Sequence, residues 1–296
     1  MNIQSSDIGS PCNCELRTEG RKKPAANWST ARSMICFVAT LLIASISLGG
    51  PGGARVFAKS GKQDSPAAAS KMDSRAMDAL NAMGTYLRTL QAFQVQAVLA
   101  TDDVTDDGQT IQFATNVDLL VSKPNRMRLQ VTGDETNRLY LYDGKNFTIY
   151  GQLVNYYATV PAPPTIKELI DKIRDRFDID LPLVDLFQWG TDESDIKNIK
   201  GAADIGPTSV GGITCEQYAF HQENIDWQIW IQLGQYPLPR KLVIRTLSDD
   251  AKPQHSEVLT WNLAPSFNDG AFAFDPPPGA HKILLDEVKP HSADTK

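Results

Sequence analysis

The sequence predicts a mainly β protein of the α+β class. We expect a curved antiparallel sheet of about eleven strands, an open half-barrel wrapped around two or three helices. Residues 93–160 alternate between apolar and polar side chains, and so do residues 202–274. A helical pattern separates the two stretches. About eleven strands are too many for a flat twisted sheet. We therefore expect the sheet to curl, with the helices across its mouth.

Residues 1–58 have the features of an export signal. Residues 34–48 carry no charge and follow a basic stretch that ends at Arg32. A membrane-spanning helix needs roughly 20 apolar residues, so this shorter run has the length of a signal-peptide core. Small residues predict cleavage after Ala58, which would place the protein in the periplasm. The alternative is an uncleaved anchor in the inner membrane through residues 34–48.

A flexible tether and the first helix follow. Residues 59–71 are small and polar, which is typical of a linker, and residues 72–296 are predicted to form a single domain. From Asp73 onward apolar residues recur every three or four positions, the spacing of an amphipathic helix. Gly84 weakens this helix without breaking it. The apolar residues are Ala76, Leu80, Met83, Leu87 and Leu90.

The first antiparallel meander begins at Phe93, where the apolar period changes from helical to two. Turn signals at 106–108, 123–125 and 133–134 divide the stretch to residue 160 into strands. Asp143-Gly144 is a strong hairpin signal. The pattern predicts about six antiparallel strands.

The helical insertion begins after prolines that end the sheet at 161–164. Thr165 is predicted to cap a helix, with Glu168 three residues later as the partner in a capping box. Residues 181–189 are apolar on most sides and are predicted to form a short helix or a packed loop. The apolar stripe of the capped helix consists of Ile166, Leu169, Ile170, Ile173 and Phe177.

The second meander supplies the remaining strands. A short strand with Phe272 and Phe274 is predicted after it, and residues 283–285 are predicted as a last edge. The main strand candidates are residues 202–205, 213–221, 225–233, 240–247 and 257–263.

The charge distribution excludes some partners. The formal net charge is -6, and the acidic excess lies after residue 58. An acidic domain lacks the basic face that a nucleic-acid backbone requires, so we expect no nucleic-acid partner. The same charge disfavours electrostatic docking on anionic lipid.

Signals for catalysis and for cofactors are weak. The sequence has no Gly-x-Ser-x-Gly motif and no glycine-rich phosphate loop. The histidines lack the spacing of a zinc site, and His221 is expected to be hydrogen-bonded and structural. The mature chain keeps only Cys215, which predicts no internal disulfide. We therefore predict no cofactor, no metal and no enzymatic activity.

The order of several short stretches resembles a known family. The chain is similar to domain-of-unknown-function family 2092, bacterial predicted periplasmic proteins placed with the lipoprotein-carrier (LolA/LolB-like) folds. The resemblance covers about residues 72–285. The matching stretches are Lys123-Pro124-Asn125-Arg126, Tyr142-Asp143-Gly144-Lys145, Tyr157-Ala158, Leu181-Pro182, Trp227-Gln228-Ile229-Trp230, Leu238-Pro239-Arg240-Lys241, and Phe272 through Phe274-Asp275-Pro276-Pro277 to Gly279-Ala280.

The resemblance implies a curved sheet with an apolar concave face, which holds acyl chains in the lipoprotein carriers. It transfers no catalytic or ligand-binding motif residue by residue. From the alternation of the strands we predict an apolar groove that binds by burial of area. Packing of the same residues on the helices as ordinary core is the alternative for each of them. The groove candidates are Phe113, Val117, Leu119, Met127, Leu129, Leu141, Ile149, Trp227, Ile229 and Ile231.

Three functions are compatible with these patterns. The first is a periplasmic non-enzymatic carrier that holds a lipid, an acyl chain or a lipidated partner in the groove. The second is an envelope domain for protein interaction or stress sensing, which binds a protein through an exposed strand edge. The third is a secreted hydrolase with an unrecognised site. The sequence leaves the ligand and the oligomeric state open.

Overall fold

A twelve-stranded sheet carries the chain from Ala92 to Lys282, with helices packed on one of its faces. The computed structural model describes residues 72–134, 136–191 and 195–287. The predicted export signal and tether lie outside the described residues. Within them, the helices are α1 (Ser74–Thr89), α2 (Ile166–Phe177) and α3 (Asp185–Gln188). The strands are β1 (Ala92–Val104), β2 (Thr110–Ser122), β3 (Arg126–Gly133), β4 (Asn137–Tyr142), β5 (Asn146–Gly151), β6 (Tyr156–Pro161), β7 (Gly201–Val210), β8 (Ile213–His221), β9 (Ile225–Gln232), β10 (Pro239–Thr246), β11 (Gln254–Asn262) and β12 (His281–Lys282).

The two predicted meanders are confirmed, and they share one sheet. The strand order is β12-β6-β5-β4-β3-β2-β1-β11-β10-β9-β8-β7. β1 joins the meanders, because Val95 lies opposite Leu119 of β2 and opposite Trp261 of β11. β7 and β12 end the order on its two sides, so the described sheet is open. The predicted fold class, an open and mainly antiparallel sheet around helices, is confirmed.

The two faces of the sheet differ in what covers them. Along β1, Val95, Ala97 and Leu99 are buried and alternate with more exposed residues such as Val98. The buried set packs with residues of α1 and α2 in one apolar cluster. We name the helix-covered face the inner face and the opposite one the outer face.

Helix α1 begins where the sequence predicts it. The Asp73 side chain accepts a hydrogen bond from the Arg75 amide at 2.9 Å, which caps the first turn. The helix ends at Thr89, and the amide of Leu90 donates to the Leu87 carbonyl. Within the described residues, no helix combines the length and the apolar character needed to cross a membrane. The buried face of α1 contains Ala76, Leu80, Met83, Gly84 and Leu87.

Helix α2 forms from the predicted capping signal. The Glu168 amide donates to the Thr165 hydroxyl at 3.2 Å. The helix ends at Phe177, and its C-cap residue, Asp178, has a left-handed conformation with φ of 53°. The predicted apolar stripe from Ile166 to Phe177 is buried against the inner face. The 181–189 stretch contains the single turn of α3 and otherwise irregular backbone.

Two strand predictions near the C-terminus are wrong. Phe272 ends a short 3-10 turn, Asp269–Phe272, and Phe274 lies in irregular backbone. The alternation of these phenylalanines reflects their packing on the outer face rather than a strand. The last edge strand is His281–Lys282 rather than 283–285, and it pairs in parallel with β6.

A C-terminal strap, residues 264–280, covers part of the outer face. Phe274 packs on Tyr150 and Tyr157, with ring centroids 5.6 and 5.1 Å apart. These rings belong to a second apolar cluster that includes Leu139 and Leu141. The sheet therefore has protein on both faces over β4 to β6.

Candidate functional site

The inner face brings together most of the predicted groove residues. Strands of both meanders contribute to one continuous apolar cluster. Antiparallel register aligns the side chains across strands, since Val117 lies opposite Val131 and Leu119 opposite Leu129. The fully buried groove candidates in this cluster are Val117, Leu119, Met127, Leu129, Ile229 and Ile231.

Three further candidates lie at the margins of the inner face. Ile149 and Trp227 are partly buried and pack against the same cluster. Trp227 stacks on Phe220, with ring centroids 4.2 Å apart. Phe113 has the same alternation as Val117 but lies near the hairpin end of β2, where it is half-buried.

Leu141 lies on the outer face, and its placement in the groove is corrected. It is opposite Arg128 of β3 and packs with Leu139 and Tyr150 under the C-terminal strap. The physical reason is that Leu139 to Tyr142 are all apolar or aromatic and all buried. A strand buried on both faces gives no alternation from which to choose a side.

Helices and an irregular segment fill the inner face. We name α1, α2 and residues 181–191 the cover. The Phe187 ring lies 6.3 Å from Phe93 of β1, and Trp189 lies 6.0 Å from Trp227 of β9. A ligand of the inner face would therefore have to displace part of the cover. The fully or nearly buried residues that the cover contributes are Ala76, Leu80, Met83, Leu87, Ile166, Leu169, Ile170, Ile173, Phe177, Leu181 and Leu183.

Two glycines let the parts of the cover meet backbone to backbone. A Cβ added to Gly84 in α1 would lie 2.8 Å from the Gly190 nitrogen, closer than Cβ atoms come to other atoms. Gly190 itself has a φ of 75°, which favours glycine. Arg88 of α1 donates to the Gly190 carbonyl. Gly84, which is unfavourable for a helix alone, therefore serves the packing of α1 on residues 181–191.

Lys123 fixes the C-terminal end of α1. Its Nζ donates to the carbonyls of Leu87 and Arg88, at 3.3 and 3.5 Å, where the helix has unsatisfied acceptors and a partial negative charge. Burial lowers the pKa of Lys123. The neighbouring Pro124 carbonyl accepts from the Ile166 amide at 2.9 Å. One turn thus positions the end of α1 and the start of α2.

Tyr142 holds the backbone just before α2. Its hydroxyl donates to the carbonyl of Pro163, and its side chain is fully buried. Burial, with smaller contributions from Glu168 and Asp143, raises the pKa of Tyr142 to about 12. The hydroxyl therefore stays a donor throughout the physiological range.

A carboxyl cluster lies beside the N-terminal end of α1. Arg75 pairs with Asp204 of β7 at 3.0 Å, and the Asp204 side chain is only 10% exposed. Oδ1 of Asp204 is buried and has no hydrogen-bond donor among the described residues. Burial and the neighbouring Asp204 raise the pKa of Glu216. When Glu216 is protonated, its hydroxyl can act as a donor to Asp204 Oδ1.

The sequence did not single out a buried array of hydroxyl, imidazole and carboxylate. The Thr101 hydroxyl lies 2.8 Å from Nδ1 of His255, and Nε2 of His255 lies 3.0 Å from Glu257. His255 is 8% exposed. The i, i+2 spacing of His255 and Glu257 on a strand was the available signal, because it places both on one face. The array joins β1 to β11 on the inner face.

The remaining candidates for chemistry are isolated. His221 is exposed and pairs with Asp226 at 2.7 Å, so it is hydrogen-bonded as expected. Cys215 is buried, and burial raises the pKa of its thiol, which makes it a poor nucleophile. Among the described residues, no three His, Cys, Asp or Glu side chains are placed to hold a metal ion.

A family model described as "Predicted periplasmic protein (DUF2092)" matches residues 76–286. The match spans the described domain from α1 to the C-terminal strap and β12. It confirms the resemblance predicted from the sequence. No curated protein sequence matches this chain.

Solved structures of low sequence identity resemble the fold. An uncharacterized conserved protein from Thermus thermophilus matches with a TM-score of 0.41 and 10% identity, over 71% of this chain and 99% of that one. Lipoprotein LppX from Mycobacterium tuberculosis matches with a TM-score of 0.42 and 11% sequence identity. The match covers 66% of this chain and 100% of LppX. A LolA superfamily protein from Nitrosomonas europaea matches with a TM-score of 0.33 and 8% sequence identity. The match covers 67% of this chain and 97% of that protein.

Proposed function

Because the chain belongs to the DUF2092 family of predicted periplasmic proteins, we propose that it is a non-enzymatic periplasmic binding protein. Its ligand is an acyl chain, carried by a lipid or by a lipidated protein. The acyl chain binds to the inner face of the sheet and displaces part of the cover.

The observation that carries the proposal is the way the inner face is covered. Apolar side chains from both meanders form one continuous surface. The cover on this surface consists of two helices and residues 181–191, which contain only one helical turn. Short and irregular elements of this kind are drawn from the less stable parts of a fold and can open locally.

The margin between β9 and the cover is where opening would begin. Trp189 of the cover and Trp227 of the sheet meet edge to face, and both are only partly buried. Leu183, which also belongs to the cover, has a φ of 62°, a strained conformation for a bulky side chain. Parting these residues gives access to Ile229 and Ile231 behind them on the same strand.

The energy of exchange supports an acyl ligand. Uncovering part of the inner face costs the burial energy of the exposed apolar surface. Each CH₂ group of an acyl chain that replaces the cover regains about 0.8 kcal/mol. A chain of about 16 carbons therefore regains on the order of 10 kcal/mol, enough to compensate for local opening.

The first experiment asks whether the protein carries a ligand. The full chain is expressed with its own export signal and recovered without detergent from the periplasmic fraction of a bacterial host. Native mass spectrometry then reports any added mass, and organic extraction identifies it. A discrete addition that extracts as lipid supports the proposal. A clean apo mass that persists when lipids are offered overturns it and directs the search to protein partners.

The second experiment locates the ligand with a matched pair of tryptophans on β9. Trp227 lies on the inner face, whereas Trp230 lies on the outer face beneath Lys241, whose Nζ is 4.7 Å from its ring centre. The probe is cis-parinaric acid, a fluorescent fatty acid. We expect Trp227→Ala to weaken its binding at least roughly tenfold, the cost of losing a large buried aromatic contact, and Trp230→Ala to leave it unchanged. Equal effects of both variants would contradict an inner-face site.

A further inference from the structure

The outer face contains a cavity that is separate from the acyl-binding surface proposed above. It lies between β4 to β6 and the C-terminal strap and has a volume of about 220 Å³. Leu141, Thr148 and Thr159, aligned across the three strands, form its floor. Phe272 and Phe274 of the strap line it from above. Contacts on either side of the cavity hold the strap away from the floor.

One of these contacts is polar and the other is aromatic. Arg126 of β3 pairs with Asp269 of the strap, and its guanidinium lies 5.4 Å from the Phe272 ring centre. At the cavity wall, the Phe274 ring packs against the rings of Tyr150 and Tyr157. Contacts with the sheet therefore position the strap residues that border the cavity.

The floor is polar where burial alone would favour apolar residues. Thr148 is 5% exposed, and its hydroxyl lies 2.9 Å from that of Thr159. Each hydroxyl has one hydrogen, and their contact uses only one of the two. The second hydrogen and the remaining lone pairs can be offered to a ligand in the cavity, which both threonines line.

The rim carries the only charge among the residues that line the cavity. Oδ1 of Asp143 accepts from the amides of Lys145 and Asn146, at 2.8 and 2.7 Å. Among the described residues, no donor is paired with Oδ2 of Asp143. Asn146 also lines the cavity. The lining thus offers a carboxylate, hydroxyl and amide oxygens and aromatic rings, with no basic side chain to neutralise the carboxylate.

We propose that this outer-face cavity binds a small organic amine, with its ammonium group at Asp143 and its carbon chain against Phe272 and Phe274. An ammonium has three donors and no acceptor, which complements an acceptor-rich lining. The rings of Phe272 and Phe274 offer apolar surface to the carbon chain of the amine. The cavity holds roughly seven waters of about 30 Å³ each, so the ligand is smaller than a typical drug-sized molecule.

The test uses butylammonium as the probe, with butan-1-ol and glucose as neutral probes. Backbone amide resonances of residues 143–148 and 272–275 are followed by NMR in the lipid-free full chain. We expect butylammonium to shift these resonances saturably, with binding that weakens as salt is added, because the pairing is ionic. The neutral probes should produce little change. If butan-1-ol or glucose binds as well as butylammonium, or if no probe binds, the proposal is overturned, and in the last case the cavity holds water alone.

Two variants locate the ammonium. Asp143→Asn removes the charge but keeps an oxygen that can accept the two turn amides, and we expect binding to weaken at least roughly tenfold because a charge-assisted bond is lost. The control is Asp249→Asn, since Asp249 makes a similar turn bond to the Ala251 amide at 2.8 Å; it should leave binding unchanged. Thr148→Val, which keeps the carboxylate and the shape of the floor, should also weaken binding. Unchanged binding in Asp143→Asn would refute the assignment.

Discussion

Nζ of Lys123 lies 3.3 Å from the carbonyl oxygen of Leu87, so a side chain in the β2–β3 turn caps the C-terminus of α1. This hydrogen bond links the β2–β3 turn to the last turn of the helix. The contact gives a turn lysine a role in holding the cover in place, and it makes the stability of α1 depend on a residue outside the helix.

Replacing Lys123 should loosen the cover. Lys123→Met keeps the length and the apolar stem of the side chain but removes the charge and the donors. Pairing of a cation with a helix C-terminus contributes about 1 kcal/mol, partly offset by the burial that lowers the pKa of Lys123. We expect a decrease in unfolding free energy of roughly 0.5–1 kcal/mol, measured by urea denaturation. Lys145→Met, at an exposed turn position, is the control and should have no effect.

Gly84→Ala should destabilise the protein although it improves the helix. In an exposed helix, Gly to Ala stabilises by about 1 kcal/mol. Here the added Cβ would lie 2.8 Å from the Gly190 nitrogen, so we expect a net loss of about 1–3 kcal/mol from overpacking. Ala82→Gly, on the exposed side of the same helix, calibrates the propensity and should cost about 1 kcal/mol. A stabilised Gly84→Ala protein would show that the two glycines do not pack as described.

Glu216 should make stability depend on pH. Burial and Asp204 raise its pKa in the folded state, so the folded protein holds this proton more tightly than the unfolded chain does. The resulting stabilisation is complete below the unfolded pKa of about 4.3 and is lost as the pH rises through the raised pKa of the folded state.

Glu216→Gln tests this linkage. The amide donates to Asp204 at every pH, so the variant should match the native protein near pH 4 and exceed its unfolding free energy at about pH 7. The measurement is denaturant unfolding at a series of pH values. Glu223→Gln, a substitution at an exposed carboxylate that pairs with Lys200, is the control. An identical pH dependence in native protein and Glu216→Gln would contradict a raised pKa of Glu216 in the folded state.

His255→Ala separates a structural array from a hydrolytic one. The substitution leaves Thr101 without its imidazole contact and removes a bond from the largely buried Glu257. We expect a loss of about 1–3 kcal/mol of unfolding free energy, the usual cost of unmade buried hydrogen bonds. His221→Ala, at an exposed histidine, should cost less than about 0.5 kcal/mol. Turnover of an ester panel by the native protein that disappears in His255→Ala would instead revive the hydrolase hypothesis.

The sequence predicts the strands well where one side of each strand is polar. Alternation from Val95 to Leu99 and from Trp227 to Ile231 assigns the inner face correctly because the intervening residues are mainly polar or exposed. The signal fails at 139–142, where both faces of β4 are buried. It also fails for Phe272 and Phe274, whose spacing of two comes from packing in irregular backbone.

The contacts that define the site depend on residues far apart in the chain. Gly84 is read from the sequence as a weak helix position, and only the approach of Gly190 explains it. Thr101 and His255 are separated by more than half of the chain, and their pairing follows from the β1–β11 register. No local pattern in a single sequence reports such a register, so these contacts cannot be predicted from the sequence alone.

The position of β1 between β2 and β11 has a consequence for how the protein is made. A chain that is synthesised from its N-terminus presents β1 long before residues 254–262 have been made. Until β11 arrives, one edge of β1 and its apolar side chains have no native partner, and unpaired edges invite association with other chains. The high sequence separation of this pairing also predicts slow folding. The interval between the emergence of β1 and that of β11 is therefore the period in which the newly made chain is most exposed to aggregation.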